Sequence, residues 1–139
     1  MSLRLALAAA ACLALIPIPA RAGALAECQK SARAAADVAN CLAARDLDAL
    51  AALKQAEDRA AHAAREQDER AKRGGGAYTA LAKASRAFAL YQGAHCDYVA
   101  AIMPGGNERA RSADPTAADL ARVGCRIDLA RQRIEILRN

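Results

Sequence analysis

Apolar side chains recur at steps of three and four residues along most of the chain, which is the spacing of one face of an α-helix. The first such stripe predicts a helix over about residues 41–72, and the second predicts one over about 78–102. The third predicts a helix that begins near Thr116, where Thr116 and Asp119 can form a capping box. The pattern therefore predicts an all-α fold, an antiparallel helical bundle of about three main helices.

Each predicted helix carries its apolar residues on one face. The stripe of the first helix is interrupted only by Asp46 and is built mainly from small residues: Leu42, Ala49, Leu53, Ala56, Ala60 and Ala63. The stripe of the second holds the larger residues: Leu81, Ala84, Phe88, Tyr91, His95, Tyr98 and Ile102. The stripe of the third suits antiparallel packing: Leu120, Val123, Ile127, Ala130, Ile134 and Leu137. Phe88 and Tyr91 are large aromatic side chains in mid-helix, so we expect them to be core anchors.

The N-terminal segment has the three parts of a secretory signal peptide. Arg4 is basic, residues 5–16 carry no charge, and the small residues before Gly23 suit a signal peptidase. The apolar run is too short to span a bilayer as a stable helix. The pattern predicts a signal peptide over residues 1–22, with cleavage after Ala26 as a second position.

The mature chain, residues 23–139, has the length of a single domain. The precursor has a net charge of +5, and removal of the two arginines of the signal peptide leaves 18 basic and 15 acidic residues, a net charge of about +3. Charges of both signs alternate along the helices, which is typical of a solvated surface and argues against nucleic acid as a partner. We expect a periplasmic or secreted protein with no membrane span.

Four cysteines remain in the mature chain: Cys28, Cys41, Cys96 and Cys125. An even number in an exported chain predicts two disulfides, for which three pairings exist. Cys96 lies about seven residues before the end of the second predicted helix, and Cys125 about nine residues after the start of the third. These positions come level in an antiparallel hairpin. The sequence therefore favours the pair Cys96–Cys125, which leaves Cys28–Cys41.

The placement of Cys125 on its helix has two explanations. Cys125 falls on the side opposite the apolar stripe, together with Leu129 and Ile136. Either neighbouring helices cover the third helix on two sides, or Gly124 allows it to begin later or to bend.

The stretch RAFALYQGAHC, which ends at His95 and Cys96, suggests a Cys–His nucleophile pair at first sight. Adjacent residues on a helix point about 100° apart and do not face each other, so they cannot form such a dyad. The chain also has no C-x-x-C pair and no H-x-x-x-H pattern for a metal. We therefore expect no enzyme activity, no metal site and no cofactor.

The cysteine framework and the segment from Ala84 to Cys96, ASRAFALYQGAHC, resemble the LprI-like family of small exported bacterial proteins. Members carry a cysteine pair, a long helix, a segment A-Q-R-A-W-x-x-[FY]-R-D-x-x-C, a Gly-Gly loop and an element C-x4-T-x2-R-x3-L. The positions that match this pattern here include Phe88, Tyr91, Cys125, Arg133 and Leu137.

Several positions of the chain depart from the family pattern. Gln92-Gly93 replaces an Arg-Asp pair, Ser85 replaces glutamine, and Ala130 stands where threonine is usual. The departure at Gln92-Gly93 raises the question of whether a binding contact has been lost.

The resemblance implies a helical, disulfide-stapled domain that inhibits lysozyme or another cell-wall hydrolase. Lysozyme-type clefts carry catalytic carboxylates, which a basic or polar loop could occlude. The segment 103–115 is such a loop, and we expect Asn107, Arg109 and Arg111 to contact the partner. The alternative function is a periplasmic structural or stress-related helical module with no hydrolase partner.

Overall fold

The computed structural model describes residues 23–71, 76–103 and 115–139 of the chain. The described residues form four helices: α1 (Ala24–Gln29), α2 (Ala35–Arg70), α3 (Ala77–Ala101) and α4 (Ala117–Arg138). The predicted all-α fold is confirmed, and α1 adds one short helix that the apolar pattern did not indicate. The predicted signal peptide, residues 1–22, lies outside the described residues.

The helix α2 begins six residues before the predicted start at Cys41. The carboxylate of Asp37 accepts hydrogen bonds from the backbone N–H groups of Arg33 and Ala34, each at 3.1 Å. A carboxylate in the first turn also interacts favourably with the positive end of the helix dipole. These contacts extend α2 toward the N-terminus and place Cys41 inside it.

Asp68 at the end of α2 fixes the start of α3. Its carboxylate accepts hydrogen bonds from the backbone N–H groups of Ala77 and Tyr78, at 3.0 and 3.1 Å. Arg65 lies over the ring of Tyr78 at 4.5 Å and donates to its hydroxyl oxygen. These contacts hold the last turns of α2 against the first turn of α3, so the two helices form an antiparallel hairpin.

The helix α4 lies at the centre of the bundle and contacts the other three helices. The disulfide Cys96–Cys125 joins it to α3, and Cys28–Cys41 joins α1 to α2, as the sequence favoured. Since α4 runs antiparallel to α3, it runs parallel to α2. Helices cover α4 on more than one side, because Cys125 faces α3 while Leu120 and Val123 line a groove with α2.

Gly124 allows α1 to approach α4 closely. A Cβ atom at Gly124 would lie 3.0 Å from the Cβ of Leu25 and 3.3 Å from its backbone nitrogen. Asp128, one turn further along α4, accepts a hydrogen bond from the backbone N–H of Ala24 at 2.9 Å. The glycine therefore serves close packing of two helices and does not mark a bend.

The core lies between α1, α2 and α4, and α3 packs on its side. Its buried residues are Ala24, Cys28, Val38, Leu42, Ala49, Leu53, Ala56, Ile127, Ala130 and Ile134. Phe88 and Leu137 pack against this core as expected. Tyr91 does not, because 53% of its surface is exposed. The expectation that Tyr91 anchors the core is wrong.

The reason for this error lies in the rotation of α3 about its axis. The disulfide turns the side of α3 that carries Cys96 toward α4, so that Cys96 and Ala100 are buried. The apolar stripe predicted from the sequence is offset from that side, and it places Tyr91, Tyr98 and Ile102 in solvent. Apolar spacing alone does not distinguish the two sides, because α3 carries small or apolar residues almost all round.

Candidate interaction surface

The predicted partner-binding loop joins the end of α3 to the start of α4. Its residues Asn107, Arg109 and Arg111 lie outside the described part of the chain, which resumes at Pro115. The helices on either side of the segment are described, and side-chain contacts join them to each other.

Charged side chains connect α3 and α4 at the base of the loop. Arg122 donates to Asp97 on α3 at 2.9 Å and to Asp119 in its own helix at 3.4 Å. Asp119 in turn accepts hydrogen bonds from the hydroxyl and the backbone N–H of Thr116, at 2.6 and 3.1 Å. The predicted capping box at Thr116 is confirmed, since the Thr116 hydroxyl also accepts from the Asp119 backbone N–H.

These contacts favour the ionised form of the Asp119 carboxylate. The hydrogen bonds from the side chain and backbone of Thr116 lower its pKa below the usual value, and the charge of Arg122 adds to the effect. The ionised carboxylate therefore caps the start of α4, and the disulfide Cys96–Cys125 joins this helix to α3.

A groove of about 190 Å³ lies between α2 and α4 beside Pro115. Its lining includes the apolar side chains of Leu42, Leu120 and Val123. Asp46 and Arg126 also line the groove and form an ion pair, and only 15% of the Asp46 side chain is exposed. The acidic residue that interrupts the alanine stripe of α2 is therefore paired across the helix interface.

Gln92, one of the departures from the family pattern, contacts α4 at the residue that pairs with Asp46. Its side-chain amide donates to the backbone carbonyl oxygen of Arg126 at 2.9 Å, so it links α3 to α4. The neighbouring Gly93 is exposed, and a Cβ there would meet no atom within 4 Å. The first position of the pair thus serves helix packing, and the second faces solvent.

A second groove, of about 360 Å³, lies along α1 and the C-terminal half of α4. Glu27 on α1 pairs there with Arg131 on α4 and with Arg45 on α2. Partial burial raises the pKa of Glu27, but the two guanidinium groups lower it more, so that the net pKa is below the usual value. Sequence reasoning missed this three-helix ion cluster because α1 was not predicted.

The stretch that suggested a nucleophile pair has no such arrangement. Cys96 is bonded to Cys125, and the ring of His95 stacks on Tyr91 with 5.3 Å between centroids. Within residues 23–71, 76–103 and 115–139, no group of three or more His, Cys, Asp and Glu side chains could hold a metal ion. In the same ranges, no helix has both the length and the apolar character needed to cross a membrane.

The fold and its contacts define a small helical domain stapled by two disulfides, an arrangement that fits a location outside the cytoplasm. The family model described as lysozyme inhibitor LprI matches residues 27–137, and the chain belongs to this family. No curated protein and no solved structure matches the chain. The family is described as one of inhibitors, which agrees with the expectation that the protein is not an enzyme.

Proposed function

We propose that this protein is an exported lysozyme inhibitor that occludes the substrate cleft with its α3–α4 loop. The observation that carries the proposal is the family match, which covers all four helices except the first residues of α1 and the end of α4. The disulfides fit the compartment in which an inhibitor meets a cell-wall hydrolase, whether the periplasm or the outside of the cell.

Charge and preorganisation support the loop as the inhibitory element. Arg109 and Arg111 could pair with the catalytic carboxylates that line lysozyme-type clefts. Cys96–Cys125 and the Arg122 ion pairs fix the helices on either side of the loop. A loop held at both ends loses less conformational entropy on binding than a free segment does.

The test is a cell-wall lysis assay with c-type and g-type lysozymes and the oxidised protein of residues 23–139. We expect inhibition at micromolar concentration, and we expect the double variant Arg109→Ala/Arg111→Ala to weaken it at least tenfold. The matched control is Arg33→Ala/Arg59→Ala, which removes the same charge from two exposed positions outside the loop. Arg33 lies just before α2, and Arg59 lies within it. Failure of the oxidised wild-type protein to inhibit either lysozyme would favour the structural helical module instead.

If the wild-type protein inhibits lysozyme but the loop variant keeps as much inhibition as the control variant, the loop is not the inhibitory element. A parallel assay on reduced protein tests the scaffold, because an inhibitor that depends on the fixed hairpin should lose activity on reduction.

A further inference from the structure

The side of α3 opposite Cys96 is apolar over the length of the helix, and it is exposed. Every residue at the steps 4-3-4-3-4-3 along this side is exposed and uncharged: Ala80, Ala84, Ala87, Tyr91, Ala94, Tyr98 and Ala101. We call these seven residues the outer face of α3. Leu90 and Ile102 flank it, and they are 77% and 62% exposed. Contiguous exposed apolar surface on a small protein is a feature of interaction sites.

The spacing of the outer face is that of a helix that packs against another helix along its length. Alternate steps of three and four residues are the heptad repeat, in which apolar side chains stay on one seam. The face on the opposite side of α3 already packs on α4 through Gln92 and Cys96. The helix therefore carries one side for its own bundle and a second side with the periodicity of a helix–helix interface.

We propose that the outer face of α3 binds the same face of a second copy of this protein, with the two helices antiparallel about a two-fold axis. In a register that overlaps Ala77–Ala101 over its whole length, every tyrosine of the face meets an alanine. Tyr98 lies opposite Ala80 of the second copy, and Tyr91 lies opposite Ala87. Large side chains then fill the space beside small ones, as close packing requires.

The charges beside the outer face are complementary in the same register. Lys83 and Asp97 flank the face on one side, with Leu90 between them, and all three are exposed. The antiparallel pairing brings Lys83 of each copy beside Asp97 of the other, and it brings the two Leu90 side chains together at the axis. Helical side chains lean toward their own N-terminus, and this tilt moves each lysine and aspartate toward one another.

The carboxylate of Asp97 can accept hydrogen bonds from its own copy and from the second copy at the same time. One carboxylate oxygen accepts the hydrogen bond from Arg122, and 70% of the side chain is exposed. A carboxylate has acceptor sites on its second oxygen that a lysine of another copy could use. In a parallel pairing each lysine would instead lie far from the partner's aspartate, so the charge pattern selects the antiparallel arrangement.

The size of the seam sets the expected affinity. A helix of 25 residues is about 37 Å long, but alanine supplies most of the seam, and each exposed ion pair adds little. We therefore expect a dissociation constant in the micromolar range and a reversible monomer–dimer equilibrium. The proposal does not rest on lysozyme inhibition.

The test is sedimentation equilibrium of the oxidised protein of residues 23–139 over a range from low to high micromolar concentration. We expect a monomer–dimer equilibrium that Tyr98→Glu weakens roughly tenfold or more. The control is Leu47→Glu, which places the same charge at a 70% exposed leucine on α2 and should leave the equilibrium unchanged. Circular dichroism and thermal unfolding establish that both variants are folded.

The register is tested by reversing the charges. Lys83→Glu and Asp97→Lys should each weaken the dimer, and the double variant Lys83→Glu/Asp97→Lys should restore it. A protein that stays monomeric at the highest concentration overturns the proposal, as does a dimer that Leu47→Glu weakens and Tyr98→Glu does not. A double variant that fails to recover overturns the antiparallel register. If the wild-type protein is monomeric and Tyr98→Glu still loses lysozyme inhibition, the face belongs to the hydrolase contact and not to a dimer.

Discussion

The guanidinium carbon of Arg133 on α4 lies 5.6 Å from the centre of the Phe88 ring on α3. Both residues match positions of the family pattern, and the structure shows that they contact each other across the hairpin. The Nε and Nη2 atoms of Arg133 are buried and have no hydrogen-bond partner among the described residues. The guanidinium group therefore contacts the ring face of Phe88 on a buried side, and the pair contributes to the packing of α3 on α4.

The two aromatic residues of the family segment should differ sharply in their effect on stability. We expect Phe88→Ala to lower the free energy of unfolding by about 2–3 kcal/mol, less than the roughly 3–5 kcal/mol of a fully buried phenylalanine, because Phe88 is half-buried between the core and Arg133. Tyr91→Ala should change it by less than about 0.5 kcal/mol, because the ring is 53% exposed and stacks only on His95. Urea unfolding of the two variants measures both values. Equal losses would mean that α3 is rotated differently from the structure described.

The contrast between Phe88 and Tyr91 shows how far the sequence determines the fold. Apolar periodicity located α3 and α4 to within one or two residues, because glycine and proline segments and a capping box bound them. It did not determine the rotation of α3, which depends on the disulfide partner of Cys96. Periodicity also missed α1, because a six-residue helix is too short to show a repeat.

The contacts around the candidate site also include some that the sequence predicts and some that it does not. The pair Cys96–Cys125 and the cap at Thr116 were predictable because each depends on spacing within or between two helices, and Cys28–Cys41 followed as the remaining pair. The ion pairs of Glu27 and Asp46 were not, since each joins helices whose relative position only the fold defines. Asp46 looked like a defect in the alanine stripe until its partner Arg126 was known.

Gly93 and Gly124 both lie inside helices, but substitution should have opposite effects. Gly93→Ala should raise the free energy of unfolding by about 0.5–1 kcal/mol, because an alanine there meets no neighbour and favours the helix. Gly124→Leu should lower it by about 1–3 kcal/mol, because the new side chain must displace Leu25 and α1. Thermal unfolding compares the two variants directly. Destabilisation by Gly93→Ala would show that α3 is covered at that position.

The two disulfides should contribute unequally because they close loops of different length. The loop entropy lost by the unfolded chain predicts roughly 3 kcal/mol for Cys28–Cys41, with a separation of 13 residues, and roughly 3.5 kcal/mol for Cys96–Cys125, with 29. We expect the paired substitution Cys96→Ala/Cys125→Ala to lower the denaturation midpoint slightly more than Cys28→Ala/Cys41→Ala does. Urea titration under oxidising conditions measures both. A much larger effect of Cys96→Ala/Cys125→Ala than of Cys28→Ala/Cys41→Ala would mean that the segment closed by Cys28–Cys41 is already ordered without its disulfide.

Glu27 should make the stability of the protein depend on pH in the acid range. Partial burial raises the pKa of Glu27, but Arg131 and Arg45 lower it by more, so the net pKa lies below the usual value. The folded protein therefore favours the ionised carboxylate more strongly than the unfolded chain does. The resulting stabilisation is fully present above the unfolded pKa and is lost as the pH falls through the folded one. We therefore expect Glu27→Gln to lower the melting temperature at pH 7, and the difference from wild type to close below about pH 4.

The matched control for this measurement is Glu135→Gln, which removes an exposed carboxylate that lines the same groove and pairs with Arg138 of its own helix. We expect its melting temperature to follow wild type across the whole pH range, because an exposed pair within one helix contributes little. Differential scanning calorimetry from pH 2 to pH 8 compares the three proteins. A Glu27→Gln variant that parallels wild type at every pH would show that Glu27 does not hold α1 to α2 and α4 through its charge.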